Sequence, residues 1–227
     1  MNKQLRVIVL TALFGSTCLA ASARADVRKG EILFGPYGLY TIPTDDYPSP
    51  RLDDVPYFEM GNKVDPSPGL AGAVDRMMSS RLSLGGEFKV YFGTVDEEVL
   101  QEFIENHVTE LDEAEMTWRT VHFGARARYY MNPEKRVNPF LQGGVGIYVS
   151  KLRAEFRQVR GSGSSNDFSR SQSFTDPGVS IGPGALVRIS KDARLSVDAI
   201  FTNIFTADRN VRYLGLSLGL IFSVTPD

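Results

Sequence analysis

Two histidines, His107 and His122, are the side chains of this chain that titrate near neutral pH and could serve as general bases. Hydrolytic or acyl-transfer chemistry would need one of them beside a serine, aspartate or glutamate. His122 is followed by Phe123 and Gly124, with no serine two residues on, and reads as a hydrogen-bonding residue rather than a base. His107 stands in an acidic stretch. No glycine-rich nucleotide loop, cysteine cluster or histidine-rich metal spacing occurs. The sequence therefore assigns no catalytic, cofactor-binding or metal-binding residue.

The second set of chemistry-bearing residues is ionic and polar: Glu87, Lys89, His122, Arg126, Arg128, Gln142, Arg188 and Asp198. All lie in segments with two-residue hydrophobic alternation, and all fall in the phase opposite the bulky apolar residues. Such a set forms either a paired polar network on one face of a sheet or a water-facing surface. A third set is the stretch from Asp96 to Glu115, with nine carboxylates and no Lys or Arg. Its Val99, Leu100, Phe103, Ile104, Val108 and Leu111 recur at helical spacing and predict a short amphipathic helix. Its spacing matches no EF-hand, so a solvated acidic surface is preferred to a cation site. Arg153, Arg157, Arg160 and Arg170 could meet lipid phosphates or pair with that acidic stretch.

The elements that position these residues are strands. At the N-terminus, Lys3 and Arg6 precede an apolar run from Val7 to Leu13, and Ala23-Arg24-Ala25 offers a small-x-small cleavage site. Residues 1–25 read as an export signal cut after Ala25, which leaves residues 26–227 as one domain. The run is too short for a membrane helix, and Cys18 goes with it, so no disulfide is expected. Removing Lys3, Arg6 and Arg24 from 25 basic residues leaves 22 against 27 acidic ones. That balance argues against nucleic acid as a partner.

Eight alternating segments follow: Glu31 to Tyr40, Gly69 to Arg76, Arg81 to Gly93, Trp118 to Tyr130, Pro139 to Phe156, Gly178 to Ile189, Arg194 to Phe205 and Tyr213 to Phe222. The last sets Leu214, Leu216, Leu218, Leu220 and Phe222 against Tyr213, Gly215, Ser217 and Gly219. Tight turns are expected near Met78-Ser-Ser80, Met131 to Asn138 and Ser190 to Ala193. Long loops are expected from Thr41 to Pro68, Asp96 to Glu115 and Arg157 to Asp176, the last a mobile segment rich in serine, glycine and arginine. Thr206 to Asn210 is a shorter connection.

Alternation alone does not tell a membrane barrel from a soluble one. Residue size does: the polar phase holds Gly85, Gly124, Gly144, Gly146, Gly182, Gly184, Gly215 and Gly219, which suits a cramped lumen better than a water-facing exterior. A basic residue facing lipid at mid-bilayer costs roughly 2 to 4 kcal/mol, so several would rival a whole domain's stability of about 5 to 15 kcal/mol. The charges must point inward, where Glu87 and Asp198 can pair with Lys and Arg in a salt-bridged plug. Pro183 lies mid-strand and predicts a bulge.

On these features the chain resembles the small eight-stranded outer-membrane barrels of the OmpA and OmpX type, including porin-like β-barrel domains. The resemblance is carried by Gly72 to Phe88, similar to the usual strand-turn-strand hairpin, and by Val137 to Gly146, similar to the family's Pro-x-x-x-x-Gly-x-Gly strand opening. It implies an all-β, closed, antiparallel up-and-down transmembrane barrel with long extracellular loops and short periplasmic turns. The segment Ser217 to Val224 is similar to the C-terminal signal read by the barrel-assembly machinery. Its Ser217, Gly219, Phe222 and Val224 stand at the signal positions, and it departs in ending on Val224 and running on to Asp227. Expected partners are outer-membrane lipid and lipopolysaccharide, the assembly machinery and an extracellular ligand met through the loops. The favoured role is a structural or surface-interaction barrel. A narrow conduit for small or hydrophobic solutes and a rim-site lipid-modifying enzyme are the alternatives, and recovery from the periplasm would indicate a soluble barrel.

Overall fold

The computed structural model describes residues 29–44, 65–94, 113–160, 164–206 and 210–225. The cleavage residues Ala23 and Ala25, His107 and the proposed helix in the acidic stretch lie outside them. Eight strands follow one another: β1 (Ile32–Pro43), β2 (Ser67–Met77), β3 (Leu82–Thr94), β4 (Glu113–Tyr130), β5 (Val137–Arg160), β6 (Ser164–Arg188), β7 (Ala193–Phe205) and β8 (Asn210–Val224). Each pairs antiparallel with its sequence neighbour, and β8 returns to β1, closing an up-and-down barrel. Closure leaves no open edge around the barrel wall, the condition for putting a sheet in lipid.

The two-residue period assigns each residue to the lumen or the outer wall. Outward residues include Leu70, Val74, Leu84, Phe88, Phe123, Val145, Ile147, Ile181, Leu218 and Leu220, each at least 41% exposed. Soluble monomers rarely leave such a continuous apolar surface open to water, whereas lipid is its natural solvent. Outward aromatics pair across strands, Phe88 with Phe123 at 5.0 Å and Phe34 with Phe222 at 5.9 Å between centroids. At one rim the strands are joined by tight turns. Ser79 Oγ accepts from the amides of Arg81 and Leu82, and Ser190 Oγ accepts from the Ala193 amide. Asn138 Oδ1 accepts from the Asn132 amide in the third turn.

Three expectations change. The segment from Arg157 to Asp176, expected as a mobile loop, is ribbon: β5 and β6 stay in register from Val137↔Val187 to Arg160↔Ser164. Beyond Ser150 this extension runs on for about 33 Å at roughly 3.3 Å per residue, with β4 paired alongside β5 as far as Glu113↔Arg157. The serine-rich sequence there carries little apolar alternation, yet the backbone ladder needs no apolar face. The acidic stretch, likewise, gives way to strand at Glu113, where β4 pairs with Arg157 of β5.

Pro183 produces no bulge. On the β7 side the ladder lapses at Gly182 and Pro183, but Ile181↔Phe201 and Gly184↔Asp198 hold the same register on either side, while the β5 ladder is unbroken. A bulge inserts an extra residue, and none is inserted here. Gly35-Pro36 of β1 repeats the device against β8: Phe34↔Phe222 and Tyr37↔Gly219 share one register across the lapse. In both places the glycine presses against a neighbouring carbonyl, Leu220 O for Gly35 and Ala199 O for Gly182, with no room for a Cβ. The proline amide, lacking a hydrogen, thus falls where the ladder is already interrupted.

Candidate functional site

The lumen is filled in three layers. Toward the turn end, Leu33, Tyr37, Ala73, Met77, Tyr130, Phe140, Leu186 and Ile221 pack into one apolar cluster. Toward the opposite end, Tyr91, Tyr148, Ile204, Val211 and Tyr213 form another, with Tyr91 and Tyr213 edge to face at 5.4 Å. Between them lie the charges.

Arg126 is the hub. Its Nε and Nη2 donate to the two oxygens of Asp75 at 2.9 and 2.6 Å, a bidentate clasp. Nη1 reaches Glu87 Oε2 at 3.4 Å, and Nη2 also donates to the Tyr37 hydroxyl at 3.1 Å. Glu87 is held on its other side by Lys89 Nζ at 2.6 Å, and His122 Nδ1 stands 3.8 Å from the same oxygen. Arg128, 1% exposed, donates from Nε to Gln142 Oε1 at 2.7 Å and sets its two terminal nitrogens 3.7 Å from Asp75 and 3.8 Å from Asp198. Ser217 Oγ donates to the free side of Asp198. Tyr37 lies beneath both guanidinium groups, and Phe140 is stacked 4.7 Å from that of Arg128.

Asp75, Glu87 and Asp198 thus face Lys89, Arg126 and Arg128, three carboxylates against three cations. A separate pair closes the turn end, where Arg194 Nη2 meets Glu31 Oε1 at 2.8 Å. Burying a charge is costly unless it is paired and hydrogen-bonded. Here Asp75 and Glu87 each face two cations and Asp198 faces Arg128 and the Ser217 hydroxyl, with Arg128's terminal nitrogens at ion-pair rather than hydrogen-bond distance.

The lumenal glycines are seats for these rings. Tyr37 lies over Gly219, Phe140 over Gly184, and Tyr148 over Gly178, where an added Cβ would come within 2.6 Å of the ring. His122 lies against Gly124 and Gly146 and stacks on Tyr148 at 4.2 Å. Gly85, paired with Asp75 across β2 and β3, leaves space for that carboxylate.

Of the network expected from sequence, Glu87, Lys89, His122, Arg126, Arg128, Gln142 and Asp198 are buried in the lumen. Arg188 is not among them: it sits half-buried at the rim and donates from Nε to the Ser190 carbonyl 3.0 Å away. Its strand ends there, so its inward phase opens onto the turn rather than the lumen. Asp75, Tyr37, Glu31 and Arg194 were missed. The signal for Asp75 was its phase, shared with Ala73 and Met77 and opposite Leu70 and Val74.

Comparison with known proteins adds the family. The model for the outer membrane protein beta-barrel domain matches residues 9–222. The chain belongs to that family. Membership carries with it a place in the bacterial outer membrane, where the exposed apolar band meets lipid. Among solved structures, OprG from Pseudomonas aeruginosa is similar at 11% identity, TM-score 0.51, over 90% of this chain and 100% of that one. A major outer membrane protein from Thermus thermophilus is 12% identical, TM-score 0.49, over 86% and 99%. Neisserial surface protein A is 15% identical, TM-score 0.46, over 86% and 99%. These likenesses concern the fold. No curated protein sequence matches the chain.

In this family setting the C-terminal strand has Phe222 and Val224 exposed on the outer wall and Ser217 and Gly219 in the lumen. Among the described residues no group of three or more His, Cys, Asp and Glu side chains is arranged to hold a metal ion. What the arrangement can do chemically is hold charge in place. His122 stands 3.8 Å from the Glu87 carboxylate and flat against Tyr148, locked between glycine seats rather than presented to a rim.

Proposed function

We propose that this chain is a structural or surface-interaction barrel of the outer membrane whose lumen does not conduct, and that it carries no catalytic activity. The observation that supports this reading is the central layer of three carboxylates and three cations. A hydrated ion or small sugar would have to displace Arg126 and Arg128 from Asp75, Glu87 and Asp198, whose pairing is what makes their burial tolerable. The apolar clusters above and below add two further barriers. Contact with the surroundings then falls to the outer wall and to the β5–β6 ribbon, whose Lys151, Arg153, Ser169, Ser171 and Ser173 are exposed.

Liposomes loaded with the folded protein test this. They are expected to stay as impermeable to small sugars and amino acids as protein-free liposomes. Swelling at a rate that scales with protein content would select the conduit instead. Lipid A from expressing cells is expected to keep its acyl pattern, and a change abolished by His122→Ala would select the enzyme.

A further inference from the structure

The outer wall carries a charged feature of its own, on the face of the sheet turned away from the lumen. Going up β4 from the turn end, the outward residues are Tyr129, Ala127, Ala125, Phe123 and Val121, and then Arg119. Going up β5 they are Leu141, Gly143, Val145, Ile147 and Val149, and then Lys151 and Arg153. Apolar stretches of about nine residues are what a tilted strand needs to cross the hydrocarbon. Arg119 and Lys151 therefore stand where the hydrocarbon ends.

They are also direct cross-strand partners. Side chains so placed have Cβ atoms about 5 Å apart, and like charges in that relation repel. The Arg119 guanidinium lies 5.8 Å from the ring of Phe92, the outward aromatic at the top of β3, which keeps it at the rim. Arg153, two residues above Lys151, is ion-paired with Glu155 at 2.7 Å. On β6 the exposed Ser173 and Ser171 lie opposite Lys151 and Arg153 and add hydroxyl donors.

Abutting cations and hydroxyl donors along the top edge of an apolar wall complement a lipid that carries phosphate on its headgroup. Its acyl chains would lie along Val121, Phe123, Ile147 and Val149 and its phosphate against the cations. We propose that Arg119 and Lys151, with Ser171 and Ser173 beside them, form a binding site for a phosphate group of the outer-leaflet glycolipid, lipid A. The proposal rests on the reading above only in its orientation, with the β5–β6 ribbon on the outside of the cell.

The test is the binding of fluorescent lipid A to the folded full chain in micelles without divalent cations, comparing bisphosphorylated lipid with the same lipid dephosphorylated. The unaltered protein is expected to bind the phosphorylated form at least about tenfold more tightly, the worth of one or two charge-assisted hydrogen bonds. The R119Q/K151Q double variant is expected to lose that preference, whereas R76Q/R81Q, at the opposite rim, is expected to keep it. Equal binding of the two lipids by the unaltered protein would overturn the site. So would a folded double variant that binds like the parent. The comparison of lipids needs no variant, so it stands even if the double variant does not fold. Lumenal permeability is untouched by either result, which separates this site's failure from failure of the closed-lumen reading.

Discussion

Asp75→Ala is expected to destabilise the folded barrel by about 3 to 5 kcal/mol, the cost of breaking a buried ion pair and leaving its partner charged. Asp75 is 1% exposed and takes both hydrogen bonds of the Arg126 clasp, besides facing Arg128 at 3.7 Å. Without it, two arginines share Glu87 and Asp198, and Arg126 retains only its 3.4 Å contact with Glu87 as an ion pair. The loss should show in urea unfolding in micelles, followed by the fluorescence of Trp118, the chain's single tryptophan. Asp75→Leu combined with Arg126→Met removes both charges and is expected to recover most of that loss, since apolar replacement of a whole buried pair is often neutral. A loss below about 1 kcal/mol for Asp75→Ala, the scale of an exposed pair, would mean that the network is solvated and contributes little.

The second large effect concerns backbone approach. Gly35→Val and Gly182→Val each place a Cβ against a neighbouring strand's carbonyl, that of Leu220 or Ala199. Overpacking that flexible side chains can relieve costs about 1 to 3 kcal/mol, but here the obstacle is the ladder itself, so a loss above that range is expected. Gly35 lies on the β1–β8 seam, whose pairing closes the barrel. Its variant is expected to lose the heat-modifiable gel shift of a folded barrel altogether. Gly72→Ala is the control, because a Cβ there meets nothing within 4 Å. It is expected to stay within about 1 kcal/mol of the parent, the usual range for glycine to alanine at a compatible site. If Gly35→Val folded as well as Gly72→Ala, the closure seam would be looser than described.

How far these features could be read from sequence depends on where each residue lies relative to the hydrocarbon. In β3, β4 and β8, lipid on one side and a narrow lumen on the other force strict alternation, so Glu87, Lys89, Arg126 and Arg128 could be placed inward from phase alone. β2 gives less contrast. Ala71, Gly72 and Ala73 are small in both phases, and Asp75 is followed by Arg76, so adjacent charges occupy opposite faces and hide which one points in. Arg188 shows the converse: the right phase does not put a residue in the lumen once its strand reaches the rim. Above Val149 the outward residues are no longer apolar, Lys151 and Arg153 following Ile147 and Val149, so the contrast between the two phases weakens. The serine-rich stretch thus carried no periodic signal, although its backbone pairs through Arg160↔Ser164. Pro183 gave the interruption correctly and its form wrongly, and the lapse at Gly35-Pro36 was not anticipated. Proline excludes a hydrogen bond, but only the close approach of Gly35 and Gly182 to a neighbouring carbonyl distinguishes a lapse in register from a bulge.

The outward cations Arg119 and Lys151 were legible as residues but not as a pair, since their meeting depends on the register between β4 and β5. Charge inside the lumen and charge on the outer wall therefore serve opposite ends: the first is neutralised within the protein, the second is left facing the leaflet.

Single-channel recording in a planar bilayer measures the central claim most directly. The unaltered protein is expected to insert without stepwise current. Discrete steps from the unaltered protein that vanish when Arg126 and Arg128 are replaced would contradict the closed lumen, and would make the charge layer the filter of a channel.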